Sequence, residues 1–115
     1  MFKKILFLSL LFIPTQVNAA ACGYASHYGV GDGFHGRTTA NGEYFSAYGR
    51  TVAHRWLPFG TRLKVTNQRN GASVVVRVND RGPYYTDRIL DLSYGAFSQI
   101  ASPSRGETKI CYNVL

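Results

Sequence analysis

The sequence predicts a small all-β domain, most simply a closed barrel of about six short strands with one short helix. Three observations support this prediction. Apolar and polar residues alternate along several short segments, turn-forming residues separate these segments, and only one segment near the C-terminus has helical periodicity. Periodicity does not determine how the strands connect, so an open sandwich remains a second possibility.

The N-terminus is predicted to be a secretory signal peptide, residues 1–19. Two lysines open it, residues 5–13 are apolar, and residues 17–19 form a small-residue cleavage site. The apolar run is shorter than the roughly 20 residues that a membrane-spanning helix needs. We therefore expect no transmembrane segment, and a single exported domain, residues 20–115, in the periplasm, at the cell surface or secreted.

The exported part of the chain is predicted to consist of strands joined by turns. The predicted strands are residues 22–29, 50–54, 61–68, 73–79, 88–93 and 108–115. Gly29 to Glu43 is glycine-rich and is expected to form a long irregular loop. Asn70-Gly71 predicts a hairpin, because both residues tolerate positive φ. The valine run that begins at Val74 suggests a strand buried on both faces, as in a small barrel.

A short helix is predicted directly after the fifth strand. Ser93 is a suitable N-cap, and Ala96, Phe97 and Ile100 would share one face of a helix over residues 94–101. Pro103 is expected to end it.

Charge and cysteine content both fit an exported protein. The formal net charge is +7, and it becomes +5 without the two lysines of the signal peptide. This charge favours an anionic partner such as a bacterial wall, and nucleic acid is not expected. Cys22 and Cys111 are predicted to form a disulfide that stabilises the fold by roughly 2–4 kcal/mol. The alternative is a lipid anchor on Cys22, although Ala19 makes a weak lipobox.

Three residues are candidates for chemistry: Glu43, His54 and Asp80. Each also has an ordinary explanation, as a solvated loop charge, a core or surface histidine, and a turn carboxylate. If Glu43 and Asp80 meet across a groove, unequal surroundings can separate them into acid and base. The sequence has three histidines, His27, His35 and His54, and their spacing is not that of metal ligands. Neither a metal nor another cofactor is therefore expected.

Five segments together resemble the rare lipoprotein A family: GYASHYG, FHGRTTANGE, TVAHRWLPFGTRLKVTNQRNG, SVVVRVNDRGP and RILDLSYGAF. The resemblance runs from about Gly23 to Ile100. It implies a six-stranded double-psi β-barrel related to the first domain of expansins. It also implies a lytic transglycosylase that cleaves MurNAc–GlcNAc bonds in peptide-stripped peptidoglycan strands and leaves 1,6-anhydro ends. We expect a monomer.

The resemblance also implies which residues form the site. The active-site acids of the family fall on Glu43 and Asp80, and its groove histidine falls on His54. We expect Asp80 to be the acid, while Glu43 acts as base or stabilises positive charge. Substrate contacts are expected from Asp91, Arg81, Tyr28, Thr39, Asn41 and Tyr84. His27 departs from the family pattern, which has tryptophan there.

Other functions remain open at the level of sequence. A non-catalytic, expansin-like wall binder would keep Asp91 and the groove but release no fragments. A secreted inhibitor on the same barrel, or a hydrolase of cellulose-like chains, is also conceivable because fold does not determine function. The presence of both Glu43 and Asp80 favours the enzyme.

Overall fold

Six strands close into a barrel, as predicted, in the part of the chain that the computed structural model describes, residues 20–84 and 87–115. The predicted signal peptide lies outside the described residues. The strands are β1 (Ala21–Tyr28), β2 (Thr51–Ala53), β3 (Arg62–Asn67), β4 (Ser73–Asp80), β5 (Arg88–Ser93) and β6 (Glu107–Val114). A short helix, α1 (Tyr94–Ser98), and a 3-10 turn (Pro103–Arg105) lie between β5 and β6.

The strand order around the barrel is β1-β5-β2-β4-β3-β6, and β6 returns to β1. The pairs β1–β5 and β2–β4 are parallel, and the other four pairs are antiparallel. Closure rules out the open sandwich. It also places the short strand β2 between the ends of β4 and β5, and this arrangement builds the site described below.

The barrel interior is filled by one face of each strand. Leu63 and Val65 of β3 point inward, as their alternation predicts, and Val76 of β4 lies among them. The prediction that the valine strand is buried on both faces was wrong. Val75 is only half-buried, because this side of β4 is the outer face of the barrel, and Arg77 follows on the same face and pairs with Glu43.

The predicted hairpin and helix are confirmed, with small differences. The connection between β3 and β4 spans residues 68–72, and only Gly71 has positive φ, at 77°. The Ser93 side chain accepts a hydrogen bond from the Ala96 amide and caps α1. The helix ends earlier than predicted, at Ser98, because the chain tightens into a turn there rather than continuing to Pro103.

Cys22 and Cys111 form the predicted disulfide. They face each other directly across the antiparallel pair of β1 and β6, with Cα atoms 4.0 Å apart. The bridge therefore joins the first strand to the last at the barrel seam, and it occupies the sulfur that a lipid anchor would need. No helix within the described residues is long and apolar enough to cross a membrane.

Candidate active site

An open groove of about 580 Å³ crosses the outer surface of the barrel where β1, β2 and β4 end. Its walls come from the ends of these strands, from β5, from the glycine-rich loop and from the segment after β4. The lining residues are Tyr28, Phe34, Arg37, Thr38, Ala53, Asp80, Arg81, Gly82, Pro83, Tyr84 and Asp91.

Two carboxylates stand on the floor of this groove, one on each side of Ala53. Ala53 pairs with Asp80 of β4 on one side and with Asp91 of β5 on the other. Two strand spacings separate these neighbours, which corresponds to roughly 10 Å between their Cα atoms. Because the alanine side chain is small, the space between the carboxylates stays open to a ligand.

Asp80 is held by three hydrogen-bond donors. The Tyr28 hydroxyl donates to Oδ2 at 2.9 Å, and the amides of Ala40 and Arg81 donate to Oδ1 at 3.0 Å each. All three contacts use the carboxylate as an acceptor. Asp80 is therefore oriented from both sides, by the end of β1 and by the glycine-rich loop.

Asp91 occupies a partly desolvated position on β5. Burial raises its pKa from 3.8 to about 6, against the hydrogen bond from Ser26 and the positive charges of His27 and Arg88. The Ser26 hydroxyl donates to Oδ1 at 3.1 Å. A carboxyl group with such a pKa carries a proton in a useful fraction of molecules near neutral pH, so it can act as a general acid.

Tyr28 provides a neutral hydrogen-bond donor to Asp80. Its ring stacks on Phe45 with centroids 4.5 Å apart. Burial, and then the negative charge of Asp80, raise the pKa of the Tyr28 hydroxyl above its usual value of 10. The hydroxyl therefore keeps its proton and continues to donate to Asp80.

Glu43 does not line the groove. Arg77 donates to both of its carboxylate oxygens at 2.8 Å, and Asn79 and Asn41 donate at 3.1 and 2.8 Å. The hydrogen bonds from Arg77, ahead of the others, lower the pKa of Glu43 to about 2. The structure thus gives Asp80 and Glu43 separate surroundings, and it uses Glu43 to attach the glycine-rich loop to β4.

Thr39 and Asn41 belong to the same attachment. The Thr39 hydroxyl donates to the side-chain oxygen Oδ1 of Asn41 at 2.6 Å. The backbone amide of Asn41 donates to the backbone carbonyl of Asn79 at 3.3 Å. These side chains hold the loop in shape. The residues of the glycine-rich loop that line the groove are instead Phe34, Arg37 and Thr38.

His54 is buried beside the groove, with 1% of its surface exposed. Its Nδ1 accepts hydrogen bonds from the amides of Trp56 and Leu57, both at 3.1 Å, which places the ring proton on Nε2, 2.7 Å from the Tyr112 hydroxyl. Burial, followed by the charges of Arg81 and Arg55, lowers the pKa of His54. The ring is therefore neutral and fully engaged, and only the backbone of His54 contacts Asp80, through an amide-to-carbonyl bond of 3.1 Å.

Arg81 and Tyr84 form the far wall. The Arg81 guanidinium lies 3.9 Å from the centroid of Phe59 and donates to the carbonyls of His54 and Asp80. Tyr84 is 74% exposed, so its ring is available to a ligand. Five predicted site residues therefore line the groove: Asp80, Asp91, Arg81, Tyr28 and Tyr84.

Six residues that line the groove were not predicted as site residues: Phe34, Arg37, Thr38, Ala53, Gly82 and Pro83. Arg37 and Thr38 could have been suspected because they stand within the same loop as Glu43. Ala53 had no chemical signal, because its contribution is the absence of bulk between two carboxylates. Within residues 20–84 and 87–115, no three His, Cys, Asp or Glu residues are grouped so that they could hold a metal ion.

The sequence profile of the family described as "Lytic transglycolase" matches residues 20–112. The chain belongs to this family. It is 50% identical over 103 residues to a protein of Nostoc sp. named probable endolytic peptidoglycan transglycosylase RlpA. It is 48% identical over 106 residues to the endolytic peptidoglycan transglycosylase RlpA of Campylobacter jejuni. These alignments cover 90% of this chain but only 28% and 38% of the relatives.

Solved structures support the double-psi barrel. The fold resembles that of a Clavibacter michiganensis expansin solved in complex with cellohexaose, with a TM-score of 0.67 and 26% identity over 84% of this chain and 50% of the expansin. It also resembles Streptomyces papain inhibitor, with a TM-score of 0.69 over 86% of this chain and 96% of the inhibitor. At 22% identity, this second likeness concerns the fold alone.

Proposed function

We propose that this domain of the lytic transglycolase family is a lytic transglycosylase that cleaves peptidoglycan glycan strands. Relatives at about half identity are named endolytic peptidoglycan transglycosylases. The observation that carries the proposal is the pair of carboxylates on the groove floor, Asp80 and Asp91, in unequal surroundings on either side of Ala53. Such a pair suits a reaction that needs one proton donor and one acceptor.

The proton donor in this mechanism is Asp91, in the role that the sequence analysis assigned to Asp80. Asp91 transfers its proton to the glycosidic oxygen while the bond from that oxygen to C1 of MurNAc breaks. The 6-hydroxyl of the same sugar attacks C1, and its proton passes to the Asp80 carboxylate. A 1,6-anhydro ring forms, and proton transfer through solvent restores both groups. Because the nucleophile belongs to the substrate, its effective concentration is high and no water need be positioned.

Other predicted residues act through this pair. Tyr28 orients the Asp80 carboxylate through its hydroxyl. Glu43 holds the loop whose Ala40 amide donates to Asp80, so Glu43 is a positioning residue. His54 supports the turn next to the groove from inside the barrel. Arg81 and Tyr84 line the wall that a sugar ring would contact.

We infer that residues 1–19 direct export and that the domain works on the wall outside the cytoplasm. The sequence pattern of this segment supports export. The disulfide between Cys22 and Cys111 supports an oxidising compartment.

The test is the mass of the fragments released from peptidoglycan that an amidase has stripped of its peptides. We expect MurNAc ends that are lighter by one water, as the anhydro form requires, and we expect Asp91→Asn to release none. Ends of full mass would mean a hydrolase. Wall binding without fragments would favour the expansin-like alternative.

A further inference from the structure

Trp56 is the only tryptophan in the sequence, and 69% of it is exposed. It borders a second cavity of about 150 Å³, whose other walls include Ala21, Ile89, Arg55 and Tyr112. The exposed indole offers a large flat apolar surface, with one polar N–H group, that a ligand could cover.

Contacts with the buried His54 ring hold both the backbone and the indole of Trp56 in place. The amides of Trp56 and Leu57 both donate to Nδ1 of the buried His54. The indole also meets the His54 ring edge-to-face, with centroids 4.8 Å apart. A ligand that stacks on this indole therefore loses little side-chain entropy, which favours binding.

One hydrogen bond joins the wall of the second cavity to the wall of the groove. Arg55 lines the cavity, and its Nε donates at 2.6 Å to the carbonyl of Pro83, which lines the groove. On β5, Ile89 of the cavity lies two residues before Asp91 of the groove. A polymer that fills the groove and passes Pro83 would therefore reach Trp56.

We propose that Trp56 and this cavity form a second sugar-binding subsite, which holds a ring of the same glycan strand away from the cleaved bond. This inference rests on the proposed function. The flat indole suits the apolar face of a sugar ring, and the cavity walls are mainly apolar, as in other small-ligand sites. The expected gain is in affinity for long strands.

The experiment uses Trp56 fluorescence, which reports on this one position. Peptide-free strands of eight sugars and peptide-bearing strands of the same length are titrated separately into the full exported domain. We expect a saturable emission change with the peptide-free strands. A change only with peptide-bearing strands would assign the cavity to the stem peptide, and no change with either would overturn the proposal.

Variants supply the second measurement. Trp56→Ala should raise KM for eight-sugar strands by about tenfold and leave kcat unchanged. Trp56→Phe should keep most of the affinity. Tyr44→Ala is the matched control, because Tyr44 is 81% exposed and lines neither cavity. Unchanged KM in Trp56→Ala would contradict the subsite. If the wild type releases no fragments at all, the proposed function fails, while the fluorescence titration still decides whether Trp56 binds sugar.

Discussion

Asp80 and Asp91 flank the same residue, Ala53, from neighbouring strands of the barrel. Asp80 accepts hydrogen bonds from three donors, whereas the half-buried Asp91 accepts one from the Ser26 hydroxyl. The short strand β2 thus brings two carboxylates with different surroundings to the floor of one groove.

Asp91→Asn should stabilise the protein at neutral and higher pH. In the folded protein the pKa of Asp91 is raised from 3.8 to about 6. The contribution of Asp91 to the free energy of unfolding is therefore fully present below pH 3.8 and is lost as the pH rises through 6. Asparagine cannot ionise and avoids this loss. We expect the free energy of unfolding of the variant to exceed that of the wild type by about 2–3 kcal/mol above pH 7, and by little below pH 3.8.

Urea unfolding across this pH range measures the difference. Asp87→Asn is the matched control, since Asp87 is exposed on the turn before β5. A stability difference for Asp91→Asn that does not vary with pH would contradict the assignment.

Glu43 and Arg77 should behave as one unit in a double-mutant cycle. Because each side chain holds the other, Glu43→Gln, Arg77→Gln and the double variant should all lower kcat/KM by a similar factor, roughly ten- to a hundredfold. The measurement is fragment release from stripped peptidoglycan. An Arg77→Gln variant of normal activity beside an inactive Glu43→Gln would show that Glu43 takes part in the chemistry itself.

His54→Ala should reduce stability more than it reduces chemistry. The substitution leaves the amides of Trp56 and Leu57 and the Tyr112 hydroxyl without their partner, which costs roughly 2–4 kcal/mol. Since the folded pKa of His54 is lowered, its contribution is present above pH 6.5 and declines as the pH falls below it. Tyr112→Phe removes one hydrogen bond only and should cost about 1 kcal/mol in the same urea titration. A fully stable but inactive His54→Ala protein would identify the imidazole as catalytic.

Gly95→Ala should destabilise the contact between α1 and the segment that precedes β2. A Cβ atom on Gly95 would lie 2.8–2.9 Å from backbone atoms of Tyr48, and backbone cannot move aside cheaply. We expect a loss of about 1–3 kcal/mol by thermal unfolding. Gly49→Ala is the control, because its Cβ would have ordinary contacts with Ser46 and should change stability little. Equal effects of the two substitutions would refute the close packing.

Much of the fold was predictable because its signals are local. Alternation located β3 through Leu63 and Val65, and Ser93 marked the start of α1. The exposure of Val75 was not predictable, since it depends on what covers the outer face of β4. The end of α1 was also missed, because a tightening turn at Gln99 leaves no strong local signal.

The candidate site was predictable in part. Asp80 and Asp91 were named from motifs, and both line the groove. The surroundings of Glu43 could not be predicted, because Arg77 lies 34 positions away and meets it only through the fold. The buried position of His54 likewise depends on Tyr112, from the last strand of the barrel.

The most direct test of the central claim is cleavage of peptide-stripped glycan strands in water enriched in heavy oxygen. If the groove of Asp80 and Asp91 directs attack by the substrate's own 6-hydroxyl, the new MurNAc ends will contain no heavy oxygen and will be lighter by one water. Heavy oxygen at those ends would mean that water is the nucleophile, and the proposed mechanism would then be wrong.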